Sequence, residues 1–368
     1  MYRETLLVIS SLALITACSA PTSDDASQSA TQTSGDDAGL PLWTKVNPGG
    51  ETSCSDGSDF FLMTHKGDPE KLLFFLEGGG GCSESQSCDP LGEPTYKITL
   101  HGQSDPDTGI FDLDQPDNPF SDYSMVYVPY CTGDVHLGLN DTEYKRENGT
   151  VFTIRHRGAA NVMASLEHTY ETFPDARTIF VTGASAGAIP TPFYASYLAD
   201  HYSEADIAAL GDGAGGYRYA SPVESQLTRW GIFNHVNLAP GFEDLTPETW
   251  SFEQLYIEAG TAFPEMALGR FDFAMDAAQS WFLGTNSQHE TLMENILANN
   301  ADIAEAVPRF RAFIAGSDNH VVIQRPGFYE LSANGHALSD WLARFAALEP
   351  VENVICETCA TAEGLTAE

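Results

Sequence analysis

The sequence predicts an α/β fold, a mostly parallel sheet flanked by helices. Three observations carry that prediction. Short apolar runs of strand length alternate with stretches of helical periodicity, the pattern of strands covered on both sides by helices. The hydrophobic fraction is 42% over 368 residues, enough for a sizeable core. The run Thr178–Ala188 reads as a strand, a sharp turn and a helix, with a serine at the apex.

Leu40 to Asp59 reads as an entry segment and Phe60 to Thr64 as a short strand. Lys71 to Leu76 is an apolar strand followed by Glu77 and four glycines, Gly78 to Gly81. A glycine run after a strand can turn its backbone N–H groups toward a ligand. No Gly-Lys-Ser/Thr follows, so a phosphate loop is not expected, and a loop that holds an oxyanion fits better. Asp105 to Asp122 is rich in Asp, Pro and Asn and should be loop. Ser124 to Pro129 is a strand leading into Tyr130 to His136. Gly158 to Phe173 is helical, with Ala159, Val162, Leu166 and Tyr170 on one face.

The elbow follows: strand Ile179 to Thr182, turn Gly183-Ala184-Ser185-Ala186-Gly187, helix Ala188 to Leu198. Ile207 to Leu210 is the next strand and ends at Gly211-Asp212-Gly213. Residues 221–265 mix aromatic and acidic residues with weak periodicity and form a candidate helical cap. Met266 to Met275 reads as a strand ending at Asp276, and Glu290 to Ala306 as a helix. Arg309 to Ala315 is the last strand, ending in Gly316-Ser317-Asp318-Asn319-His320. His336 to Leu348 is a final amphipathic helix with Leu338, Trp341, Leu342 and Phe345 inward. There is no internal repeat and no internal membrane span.

Lys and Arg number 17 against 52 Asp and Glu, a net charge of −35. Such a chain has little with which to neutralise phosphates, which excludes nucleic acid as a partner. Residues 1–17 read as a signal peptide. Arg3 supplies the charged start, and Leu6 to Ile15 is too short to span a bilayer. Ile15-Thr16-Ala17-Cys18 resembles a bacterial lipobox, cut before a lipidated Cys18, and Ser19 points to the outer membrane. The expected product is an exported lipoprotein of the outer membrane, cell surface or periplasm. It touches the membrane only through its N-terminal lipid. Residues 18–39 form a Ser/Thr/Asp-rich tether without aromatic residues. Residues 40–360 form one domain and 361–368 a tail. Six cysteines remain, an even number that suggests disulfides, with 15 pairings open. Cys356-Glu-Thr-Cys359 lacks a thioredoxin-like context and a second ligand pair, so it reads as a local disulfide.

A serine at such an elbow becomes a nucleophile when a base takes its proton and a carboxylate orients that base. In the α/β-hydrolase arrangement the chain order is Ser, Asp or Glu, then His, each at a strand's C-terminal end. Histidines after Ser185 are His201, His235, His289, His320 and His336. His201 ends the elbow helix and points away. His235 and His289 lie in poorly defined stretches. His320 follows the last strand, and His336 opens the final helix. The competing acids are Asp212, Asp276 and Asp318. Spacing ranks Asp276 with His320 first and Asp318 with His336 next, and Asp212 remains open.

These residues resemble the pectinacetylesterase/Notum family of carboxylesterases, most closely its bacterial branch. The matching stretches begin with Thr52-Ser53-Cys54-Ser55-Asp56-Gly57, Leu76 to Cys82, Asn118-Pro119-Phe120 and Val126 to Val135. Gly183 to Gly187, Asp212-Gly213, Asp276-Ala277-Ala278-Gln279 and the strand running to His320 complete them. The resemblance implies an α/β-hydrolase-like fold with Ser185 as nucleophile, Asp276 as acid and His320 as base. It implies oxyanion donors on the backbone of Gly79, Gly80 and Ala186. Gly80 stands where animal members carry tryptophan. It also implies the pairs Cys54–Cys131 and Cys82–Cys88, leaving Cys356–Cys359. The implied activity is hydrolysis of acetyl esters on a polysaccharide such as pectin, with no metal or cofactor needed. The chain is expected to be a monomer. An esterase or lipase for longer acyl chains or polyesters is the second expectation. A surface glycan-binding lipoprotein without catalysis is the third.

Overall fold

The computed structural model describes residues 42–218, 223–284, 289–357 and 359. The expectations for the signal peptide, Cys18, the tether and the 361–368 tail lie outside the described residues, as does part of 221–265. Strands in chain order are β1 (Thr44–Val46), β2 (Leu62–His65), β3 (Asp68–Leu76), β4 (Tyr123–Val128), β5 (Asn140–Lys145), β6 (Val151–His156), β7 (Thr178–Ala184), β8 (Asp206–Asp212), β9 (Ala267–Phe273), β10 (Phe310–Ala315), β11 (Ser332–Ala333), β12 (His336–Ala337) and β13 (Val354–Ile355). The α-helices are α1 (Ser85–Cys88), α2 (Gly158–Thr172), α3 (Thr191–His201), α4 (Val223–Trp230), α5 (Phe252–Ala262), α6 (Ala277–Phe282), α7 (His289–Ala306) and α8 (Leu338–Ala346).

Nine strands form one sheet in the order β1-β2-β4-β3-β7-β8-β9-β10-β13. Only the pairs with β2 are antiparallel; from β4 to β13 every neighbour is parallel. Parallel sheets must be covered on both faces, and the alternation along each strand shows how. Leu72, Phe74, Leu76, Val126, Ile179 and Val181 point into one core with Val162 and Leu166 of α2, Phe193 and Leu198 of α3, and Leu255 of α5. Leu73, Phe75, Met125, Phe180, Leu210, Phe271 and Phe313 point into the other, against Leu338, Trp341, Leu342 and Phe345 of α8.

Several local expectations need correction. The helix after the elbow does not start at Ala188: a 3-10 turn, Ser185–Gly187, comes first and α3 begins at Thr191. Pro190 and Pro192 set that start, since proline fits only a helix's first turn. β9 stops at Phe273 rather than running to Met275, and Asp276 caps a new helix instead. His336 lies in the short strand β12 and α8 begins two residues later. The hairpin β5–β6 was not expected at all. In the 221–265 stretch, α5 packs with α3 and α7 in a flanking helical layer.

The disulfides are Cys54–Cys131, Cys82–Cys88 and Cys356–Cys359. Cys54 and Cys131 are 77 residues apart. Closing a loop that long removes about 4 kcal/mol of unfolded-chain entropy, against about 2 kcal/mol for the short Cys82–Cys88 loop. Replacing Cys54 and Cys131 together by serine should therefore lower the unfolding free energy by about 4 kcal/mol in a urea titration. A loss below about 1 kcal/mol would show that this cross-link constrains nothing in the unfolded chain.

Candidate active site

The elbow sits at the C-terminal end of β7, the middle strand of the nine. Ser185 has φ +54°, in the left-handed region a serine rarely adopts. Its neighbours leave no room for side chains. A Cβ on Gly183 would lie 2.3 Å from the Gly187 carbonyl oxygen, and one on Gly187 would lie 2.1 Å from that of Leu76. The steric squeeze explains the Gly-x-Ser-x-Gly pattern and lifts the serine clear of the sheet.

Loops after β9 and β10 bring two side chains to it. His320 Nε2 is 2.7 Å from Ser185 Oγ, and His320 Nδ1 is 2.7 Å from Asp276 Oδ2. Asp276 is fully buried, while the His320 side chain keeps about a quarter of its surface. Asp276 works with both oxygens. Oδ1 accepts from the Gln279 N–H at 2.9 Å, capping α6, and Oδ2 faces the imidazole. The carboxylate is thus oriented by a helix cap before it orients the histidine.

The other candidates lie elsewhere. Asp212 is buried, and its Oδ2 accepts from the N–H groups of Val322 and Ile323, both at 2.9 Å. Burial pushes its pKa up to about 7, against the two N–H bonds that lower it. It steadies the loop that carries His320. The side chains of Asp318 and His336 are both exposed, and His336 lines a separate depression beside Asp340 and Trp341. His201 stacks on Tyr170 at 3.7 Å, and His235 Nε2 bonds the Leu137 carbonyl.

Gly79 and Gly80 line the space in front of Ser185 and His320, and Ala186 borders it from the elbow. The glycine loop is fastened by its carbonyls. Lys97 N–H donates to Gly79 O at 2.9 Å, Thr95 Oγ1 to Gly81 O at 2.7 Å, and His136 Nε2 to Glu77 O at 2.8 Å. A carbonyl only accepts, so Nε2 carries the His136 proton. Burial lowers the His136 pKa to about 4, which keeps the ring neutral. Asp134 organises the strained turn behind it, accepting from Thr132 Oγ1 at 2.6 Å, His136 N at 3.1 Å and Gly158 N at 2.8 Å. Cys82–Cys88 and a bond from Trp230 Nε1 to Cys82 O at 2.7 Å brace the far end of the loop. Sequence reading could not assign Asp134 and His136, because His136 acts on a carbonyl 59 residues away.

Two clefts meet at Ser185. One, of about 570 Å³, is lined by Ile189, Tyr217, Trp230, Phe252, Trp281 and Phe282. The other, of about 560 Å³, is polar, with Glu77, Gln103, Asp105, Asp107, Gln324 and Arg325. Sequence reading missed Trp281 and Phe282; the available signal was an aromatic pair closing the short run that begins at Asp276. Among the described residues, Cys82, Cys88 and His156 lie close enough to share a metal ion. The two sulfurs are bonded to each other, and both His156 nitrogens are engaged, by Tyr144 Oη and Thr132 O.

A family model described as pectinacetylesterase matches residues 43–266. Pectin acetylesterase 4 of Arabidopsis thaliana is 30% identical over 172 residues, 44% of this chain and 40% of that protein. The palmitoleoyl-protein carboxylesterase NOTUM of Homo sapiens is 31% identical over 102 residues, 26% of this chain and 20% of that protein. The chain thus aligns with less than half the length of these curated relatives. The solved structure of the Wnt deacylase Notum from Drosophila superposes with a TM-score of 0.64 at 16% identity, covering 86% of this chain and 96% of that one. That likeness is one of fold, an α/β-hydrolase-like sheet. The matched span holds the glycine loop, the disulfide cysteines near it and the serine elbow, and on it the chain belongs to the pectinacetylesterase family.

Proposed function

We propose that the protein is a serine carboxylic ester hydrolase that removes acetyl groups from an extracellular polysaccharide such as pectin. The observation that carries this reading is the hydrogen-bonded line Ser185–His320–Asp276, with both inner contacts at 2.7 Å. His320 takes the Ser185 proton as Oγ attacks the ester carbonyl. Asp276 holds the imidazole in the needed tautomer and stabilises its positive form. The negative oxygen that develops is placed at the N–H groups of Gly79, Gly80 and Ala186, where each donor is worth about 100- to 1000-fold in rate. His320 then protonates the departing alcohol, and a water that it activates releases the acetyl group from Ser185. The polar cleft suits a sugar on the alcohol side.

A second reading, cleavage of longer acyl esters, draws on the aromatic cleft. At about 570 Å³ it exceeds what an acetyl group needs. We further propose export as a lipoprotein anchored through Cys18. The three disulfides fit an oxidising compartment, and among the described residues no helix is long and apolar enough to cross a membrane. The test is hydrolysis of p-nitrophenyl esters from acetate to palmitate, beside acetylated pectin and xylan. Fastest turnover of acetate with release of acetate from polymer is expected. A rate that climbs with chain length would favour the second reading. No turnover of any ester by folded protein would overturn both and leave a glycan-binding lipoprotein.

A further inference from the structure

Behind Asp276 lies a second buried carboxylate that the reaction above does not use. Asp272, on β9, is 1% exposed. Gln279, fully buried on α6, spans the two acids. Its Nε2 donates to Asp276 Oδ2 at 3.0 Å and to Asp272 Oδ1 at 3.0 Å. Its Oε1 accepts from the Gly216 N–H at 2.8 Å. A backbone N–H can only donate, so that contact fixes which end of the amide faces the acids. The Gly215 N–H adds a bond to Asp272 Oδ1 at 2.7 Å. Asp272 Oδ2 has no hydrogen-bond partner among the described residues.

A buried carboxylate is a costly way to fill a core unless its charge is compensated. What Asp272 also has is a hydrogen-bonded route to the imidazole: Gln279 Nε2, then Asp276 Oδ2, then His320 Nδ1 at 2.7 Å. The groups around Asp272 are few. Arg270, two residues earlier on β9, is buried with its guanidinium over the Tyr256 ring at 4.2 Å and supplies the positive charge that favours the Asp272 carboxylate; among the described residues Asp276, Asp212, Tyr217 and Tyr256 are the other titratable neighbours. Burial pushes the Asp272 pKa up to about 6, while the Arg270 charge and the bonds from the Gly215 N–H and Gln279 Nε2 favour the carboxylate form.

We infer that Asp272 and Gln279 are positioning residues, the amide holding Asp276 toward His320 and the Asp272 charge making the imidazole a stronger base. The inference rests on the Ser185 chemistry proposed above. A negative charge in a low-dielectric interior favours the protonated ring, which is the form made as the serine attacks. Supporting groups behind a catalytic ligand tune it in the same way in metal sites.

Asp272→Asn keeps the shape and removes the charge. The full chain, wild type and variant, would be followed by NMR titration of the His320 ring and by the pH profile of kcat/KM on p-nitrophenyl acetate. Losing the charge lowers the ring's affinity for its proton. The ring titration and the acidic limb should therefore move together toward lower pH by about half a unit or more. The plateau kcat should fall several-fold with KM unchanged. An unmoved ring titration, or a loss of rate equal at every pH, would overturn the inference. If the wild type turns over no ester, the Ser185 reading falls while the ring titration still decides the role of Asp272. Should Asp272→Asn fail to fold, Gln279→Met cuts the same link. It should lower kcat about tenfold or more at constant KM, and an unchanged kcat would overturn the inference.

Discussion

Ser185→Ala will reduce acetyl-ester turnover by about 10⁵- to 10⁶-fold, to the level that binding and oxyanion donors alone sustain. The substitution removes one oxygen and leaves the Cβ where it stands. The left-handed backbone at φ +54° is borne equally by alanine, and the glycine contacts around the turn do not change. The melting temperature should thus stay within about 2 °C of the parent, which separates chemistry from folding. Steady-state hydrolysis of p-nitrophenyl acetate with a thermal melt on the same sample checks both. A residual rate above about 1% would mean that another group attacks the ester.

Asp276→Asn will cost about 10⁴-fold in kcat. The reason is directional. Oδ2 now accepts from His320 Nδ1 at 2.7 Å and from Gln279 Nε2 at 3.0 Å. If the amide oxygen stays at the Oδ1 position to keep the helix cap, an NH₂ faces both donors. The imidazole must then turn its lone pair toward the amide, which puts its proton on Nε2, where it cannot take one from serine. If the amide flips, the cap bond from the Gln279 N–H is lost instead. Asp212→Asn is the contrast. Its Oδ2 serves backbone N–H groups that an amide oxygen can also serve, so kcat should fall less than about tenfold. Equal losses in the two variants would refute the assignment of the acid.

Why these residues were legible and others not follows from the range of the forces involved. The elbow and the glycine run announce themselves because close backbone approach restricts the neighbouring positions to small residues. Asp276 and His320 were reachable through strand order, since they follow β9 and β10, the parallel strands beyond β8 on the same side of β7. The hairpin β5–β6 was missed because its strands are nearly all polar or exposed, with Tyr144, Ile154 and His156 the buried members. Periodicity has nothing to register in such a strand. α6 was hidden because six residues offer under two turns of pattern. Asp272 read as one more strand residue, since only the folded chain sets it against Gln279. Asp134 and His136 lay in a quoted motif, yet their task became visible only with Glu77 beside them.

The two jobs of Asp276 bear on how such a site can drift over generations. An orienting acid that did nothing else could be relocated to another strand end by two compensating substitutions. Here the same carboxylate also starts the helix that carries Trp281 and Phe282 to the cleft rim. Moving the carboxylate away from this position would leave that helix without its cap. Asp212 is already spent on the loop that follows the base. On the proposed chemistry, a change in what the site accepts is therefore most readily made at the cleft walls, by substitutions that leave Asp276 in place.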